Sequence, residues 1–154
     1  MPTITKGFID GICKNIVVKN ATIIFMSNIS KRVINRFPTL GFNQYKNNSN
    51  GWIVFYNNSA NSRCLYICST GQIALPSSSK NLFRNCEAKV IDFHNNVITN
   101  NVKNMKYMFK GCANLTDILG FTPPHLKSRE YDHMFQNCKN LNNVPNFPNW
   151  QNYR

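Results

Sequence analysis

Two kinds of hydrophobic spacing divide the chain. Over residues 16–75 the apolar residues come in short, largely β-branched runs separated by polar turn formers, the pattern of short strands. Ile16–Val18 and residues 21–25 flank Lys19-Asn20 and read as a tight hairpin. Residues 52–56, Cys64–Cys68 and residues 73–75, divided by a polar loop at 57–62 and a Thr70-Gly71 turn, read as a three-stranded meander. Between these groups Ser30 is placed to cap a short helix carrying Val33, Ile34 and Phe37, which Pro38 stops. Residues 42–51 form a polar loop, and 76–80 mark the boundary between the two halves.

From residue 81 the pattern is periodic. Phe83, Phe109 and Phe135 recur every 26 residues, and so do Cys86, Cys112 and Cys138. Asn114 with Asn140, Leu115 with Leu141, Ile118 with Val144 and Phe121 with Phe147 extend the match; Val90 and Phe93 join it if the first unit is two residues shorter. Self-similarity at such a period marks stacked units that bury their apolar sides against one another. Met105, Phe109 and Cys112 stand at i, i+4 and i+7, repeated by Tyr131, Phe135 and Cys138, which predicts a two-turn helix in each unit. Leu115, Ile118 and Phe121 then predict a short strand running into Pro123-Pro124. Trp150 and Tyr153 follow the last unit, to cap it or to offer an end contact.

The stretch NVKNMKYMFKGCANLTDI, residues 101–118, resembles the repeat of BspA-type leucine-rich repeat proteins, whose units read N-V-x-N-M-x-x-M-F-x-G-C-x-x-L-x-x-L. YDHMFQNCKNLNNV, residues 131–144, keeps Met-Phe, Cys and Leu, with Asn137 at the glycine position; NLFRNCEAKVIDF, residues 81–93, keeps mainly the phenylalanine, the cysteine and the strand. The resemblance covers residues 81–147. It implies a leucine-rich-repeat-like solenoid used for binding, in proteins often displayed on bacterial or mycoplasma surfaces as adhesins. The fold class expected is therefore α+β: a basic, β-rich region over 1–80, then a short solenoid of helix-turn-strand units over 81–154. MPTITKGFIDGICKNIVV lacks the basic and apolar regions of a secretion signal, and Gly11-Ile12-Cys13 follows no apolar run of the lipoprotein kind. Together with the small number of units, this directs the expectation toward a virion or intracellular assembly rather than a secreted adhesin.

Composition adds charge to this picture. The 154 residues are 42% hydrophobic, too apolar for a disordered tail, yet only 16% are charged, against about 25% in ordinary soluble domains. Asparagine, 26 residues of it, supplies the missing polarity. Lys and Arg number 18 against 6 acids, a net charge of +12 and a pI near 9.7. Residues 1–80 hold nine of the cations and one acid, Asp10, so the excess is concentrated there. A basic excess gives affinity for any polyanion. No run approaches the ~20 apolar residues of a membrane-spanning helix, and without an export signal the six cysteines are expected as thiols.

Candidate chemistry is sparse. One cysteine per 26-residue unit, on an apolar stripe, fits a packed ladder better than the paired knuckles of a metal site. Cys64 and Cys68 with Cys86 and His94 could be drawn as a zinc site, but half-buried strand cysteines are the simpler reading. His94, His125 and His133 stand in no recognisable catalytic motif, so no catalytic residue, metal or cofactor is expected. The sequons at Asn20, Asn28, Asn47, Asn57 and Asn114 follow from the asparagine content. The expected function is non-enzymatic protein binding or a structural role in a larger assembly, such as a phage or virus particle, or surface adhesion. Its contact face is Lys103, Lys106, Tyr107 and Lys110 on the second unit and His133 and Gln136 on the third, with Trp150 and Tyr153 at the end. The alternative is nucleic-acid binding through Lys14, Lys19, Lys31, Arg32 and Arg36.

Overall fold

Thr5 begins the first element. Its backbone is extended and its hydroxyl accepts the N–H of Phe8, which starts α1 (Lys6–Cys13). Ile9 and Ile12 form the buried stripe of α1, and Phe8 stacks on Trp52 with ring centroids 5.1 Å apart. A single 3-10 turn, Ile16–Val18, leads to β1 (Thr22–Met26). Ser30 then caps α2 (Lys31–Ile34) by accepting the N–H of Val33 at 3.3 Å, as its sequence position predicts. The remaining strands are β2 (Asn43–Gln44), β3 (Ile53–Tyr56), β4 (Cys64–Cys68), β5 (Ile73–Ala74), β6 (Val90–Asp92), β7 (Val97–Ile98) and β8 (Asp117–Leu119). This computed structural model describes residues 3–45, 52–57, 59 and 62–154, so the loops expected at 42–51 and 57–62 lie partly outside the described residues.

Six strands form one sheet in the order β2-β3-β4-β1-β6-β8, and β5 pairs with β7 in a second, two-stranded sheet. β1 is parallel to both of its neighbours, Ile23 lying opposite Leu65 on β4 and Ile91 on β6; Ile118 of β8 continues the row. Among the described residues, only β2-β3 and β3-β4 are antiparallel.

This topology overturns the expected fold class. The protein is a mixed α/β structure built on a mostly parallel six-stranded sheet, with two α-helices among the described residues, rather than a β-rich region followed by a helix-turn-strand solenoid. The hairpin around Lys19-Asn20 does not form: Ile16–Val18 is a 3-10 turn, and β1 takes both of its partners from far along the chain. The meander is realised only for β3 and β4, since β5 leaves for β7.

The helices expected in the periodic units are also absent, for a reason visible in the backbone. Tyr107 has φ 58° and Gly111 φ 77°; Asn81 with Asn85 and His133 with Asn137 repeat the pair. A left-handed residue every fourth position breaks an α-helix into consecutive tight turns. The donors then alternate. Met108, Lys110 and Cys112 donate to Met105, Tyr107 and Phe109 three residues back, while Met105, Tyr107, Phe109 and Gly111 donate across to Glu130, Asp132, Met134 and Gln136 of the next unit. The apolar stripe at i, i+4 and i+7 survives, because such turns place those side chains on one side as a helix does. Asparagine is the side chain that tolerates φ > 0 best after glycine, and eight of the eleven non-glycine residues found there among the described residues are asparagine.

The core follows the stacking. Phe83, Phe109 and Phe135 lie in a column with centroids 5.4 and 5.8 Å apart. A second column runs Phe25, Phe93, Phe121, Phe147 at 5.3, 5.3 and 6.2 Å. Phe25 belongs to β1, so the stacked core extends into the N-terminal half. Each buried ring contributes about 1.5–3 kcal/mol through area alone. Asn114 and Asn140 serve the same stack, their side-chain amides donating to the carbonyls of Glu87 and Ala113 one unit back.

Candidate binding face and cysteine pair

Cross-unit backbone bonds fix the exposed side chains of the turns in columns. Asn81 N–H on Lys106 C=O and Tyr107 N–H on Asp132 C=O align Asn81, Tyr107 and His133; Asn85 N–H on Lys110 C=O and Gly111 N–H on Gln136 C=O align Arg84, Lys110 and Gln136. Tyr107 and His133 stack at 5.5 Å with their planes 15° apart, and the Lys110 ammonium lies 5.3 Å from the Tyr107 centroid. Lys106 sits beside them, its N–H held by the Asn104 side chain at 2.9 Å, and Lys103 is exposed one turn earlier. The structure therefore brings Tyr107, Lys110, His133 and Gln136 onto one ridge over the second and third units, with Lys103 and Lys106 adjoining it along the chain.

Trp150 and Tyr153 are half-buried on the last unit. Trp150 meets Phe135 edge-on at 5.7 Å under the Arg154 guanidinium, and the Tyr153 carbonyl accepts the N–H of Phe135. They close the end of the stack. Beside Tyr153, a cleft of about 510 Å³ opens between Pro123, Pro124 and His125 on one side and Phe147 on the other.

The nucleic-acid candidates are not brought together. β3 and β4 alternate: Val54, Leu65 and Ile67 face the main core with α1, while Phe55, Tyr66 and Cys68 face a small cluster under α2 with Ile34 and Phe37. Lys31, Arg32 and Arg36 thus lie on one side of the sheet and Lys14 on the other, with Lys19 exposed in the turn before β1. Trp52 and Phe55 are buried and Tyr56 half-buried.

The cysteines do more than fill space. Cys112 and Cys138 are buried and their thiols donate to the carbonyls of Phe83 and Phe109, at 3.0 and 2.9 Å. At the same place in the first unit, Cys86 instead meets Cys13 of α1, with the sulfurs 2.8 Å apart. Cys13 is half-buried and lines a depression of about 310 Å³ with Lys6, Asp10, Lys14, Arg84 and Asn85. The Lys6 ammonium is paired with Asp10 at 2.7 Å. The S–H of Cys13 donated to Cys86 draws the Cys86 ionisation down against its burial, and the same contact pushes that of Cys13 up. Nothing in the sequence separates this pair from the other thiols, since its members lie 73 positions apart on unlike elements. Cys64, Cys68, Cys86 and His94 are not gathered: among the described residues no group of three or more metal-ligating side chains is placed to share an ion.

Comparison of the chain with family models, curated proteins and solved structures finds no match. Among the described residues, no helix is long and apolar enough to cross a membrane.

Proposed function

We propose that the protein is a non-enzymatic binding module that docks an acidic protein partner on the ridge of Tyr107, Lys110, His133 and Gln136 and the adjoining Lys103 and Lys106. Tyr107 carries the reading. It is a large aromatic residue at φ 58°, half-exposed, stacked on His133 and flanked by Lys110. Left-handed backbone costs such a residue about 1–2 kcal/mol, and strain kept at an exposed position points to a role outside the fold. An aromatic pair among cations has the composition of an interface hot spot, and the net charge of +12 favours an acidic counterpart. Cross-unit hydrogen bonds hold the ridge backbone, so docking costs little conformational freedom. The resemblance of residues 101–118 to BspA-type repeats supports the same class of role.

A photo-crosslinking amino acid at Lys103 or Gln136 tests it, with controls at Asn35 and Thr39 beside α2. The expected result is a discrete adduct to an acidic protein from the ridge positions only, lost in the Lys106→Glu, Lys110→Glu double variant. Adducts equal from both faces, or none from the ridge, refute the proposal.

The clustering of exposed Lys31, Arg32 and Arg36 favours a second reading, nucleic-acid contact on the α2 side of the sheet. Filter binding at two salt concentrations decides it. Affinity that falls steeply with salt and is lost on reversing these three charges supports it, and no binding at low salt rules it out.

A further inference from the structure

We propose that Cys13 and Cys86 form a redox-active dithiol that reduces an anionic low-molecular-weight disulfide of the glutathione type and is closed by it into an intramolecular disulfide. Three observations converge. The sulfurs are 2.8 Å apart, so closing to the ~2.05 Å of a disulfide requires a shift of less than an ångström. Cys13 is half-buried on the wall of an open depression, whereas Cys86 is 1% exposed behind it, the arrangement of an attacking and a resolving thiol. The depression is rimmed by Lys14 and Arg84, both exposed, while Lys6 is already paired with Asp10, so its free charge suits a carboxylate-bearing reagent.

The chemistry balances without any other oxidant. Cys13 releases its proton to solvent in the open depression and, as the thiolate, attacks one sulfur of the external disulfide. That bond breaks, one thiolate leaves, and a mixed disulfide remains on Cys13. Cys86 then attacks the Cys13 sulfur and the second external thiolate leaves with the Cys86 proton. Two thiols have lost two electrons and two protons, and one external disulfide has become two thiols. Cys112 and Cys138 are spared because their thiols are buried on backbone carbonyls.

The full chain is incubated in glutathione redox buffers, alkylated and mapped by mass spectrometry without reduction. The expected result is a peptide joining Cys13 to Cys86 and a fall in titratable thiols from six to four. Cys86→Ser should trap the mixed disulfide on Cys13; if that variant does not fold, the wild-type map decides alone. Lys14→Glu with Arg84→Glu should slow oxidation by glutathione disulfide about tenfold at low salt and leave oxidation by uncharged hydroxyethyl disulfide unchanged. Six thiols throughout, a glutathione adduct on Cys64 alone, or equal slowing with both reagents overturns the proposal.

Discussion

Gly120 is the position where the stack is least forgiving. Its φ is 61°, and a Cβ added there would lie 2.6 Å from the backbone nitrogens of both His94 and Asn95 and 3.0 Å from the His94 Cα. These are main-chain atoms of the preceding unit, so relief requires the two units to part by most of an ångström. That movement lengthens the bonds from Asn95 N–H to Gly120 C=O, now 3.1 Å, and from Phe93 N–H to Leu119 C=O, now 2.8 Å, and opens the Phe93–Phe121 contact. Left-handed backbone costs alanine about 1 kcal/mol, and weakening the hydrogen bonds and ring packing adds about 2 kcal/mol more. Gly120→Ala should therefore lose about 3 kcal/mol, lowering Tm by roughly 6–12 °C for a chain of this length.

Gly111 is the internal control. Its φ is 77°, but the added Cβ would meet chiefly the Asn85 side chain, at 2.1 Å from Oδ1 and 3.8 Å from the backbone nitrogen. A side chain can rotate away, so Gly111→Ala should cost only about 1 kcal/mol, or roughly 2–4 °C. Thermal and urea denaturation followed by circular dichroism measure both. Equal losses for the two variants, or a Gly120→Ala loss below 1 kcal/mol, would refute the argument from backbone contact.

Other consequences can be checked in parallel. Tyr107→Asn should leave stability within about 1 kcal/mol of wild type in urea titrations, because relief of the left-handed strain offsets the lost His133 stack, yet weaken partner affinity at least about tenfold. Trp150→Ala removes the half-buried ring on Phe135 and should cost about 2 kcal/mol by the same measurement. Burial pushes the Cys68 thiol from 9.0 up to about 12, so stability is intact below pH 9 and drains as the pH rises toward 12. At about pH 10.5 wild type should have lost about 2 kcal/mol more than Cys68→Val, measured against the same pair at about pH 8. A Cys13–Cys86 disulfide should raise stability by about 4 kcal/mol through loop closure, read as a Tm that falls again when dithiothreitol is added.

What was legible in the sequence was spacing; what was not was backbone handedness. The recurrence of Phe83, Phe109 and Phe135 and of Cys86, Cys112 and Cys138 is realised as a ring column and a row of buried cysteines. The helix read from Met105, Phe109 and Cys112 fails because a train of turns produces the same stripe, and only the φ values of Tyr107 and Gly111 distinguish the two. Asn81, Asn85 and Asn137 at the matching places carried that signal, as residues suited to φ > 0. The helix α1 was not read from the sequence, although Thr5, with Phe8, Ile9 and Ile12 behind it, carries its cap and apolar stripe. Phe25 joins the second ring column without any periodic marker, because twelve residues separate it from Cys13 where seven separate Phe93 from Cys86. Of the candidate site, the alignment of Tyr107 with His133 was written in the period. The Cys13–Cys86 contact depends on how α1 docks, which no local pattern specifies.

The division of amide donors between a unit and its neighbour gives the protein a built-in reporter in hydrogen–deuterium exchange. Amides 108, 110 and 112 are protected by their own turns, whereas 105, 107, 109 and 111 are protected only while residues 130–136 are in place. Exchange at the odd positions therefore counts how often the following unit lifts away, and exchange at the even positions how often the unit itself unravels. A partner straddling Tyr107 and His133 would clamp the two units together and slow the odd amides selectively. Occupancy of the ridge becomes visible, residue by residue, in atoms that no partner touches.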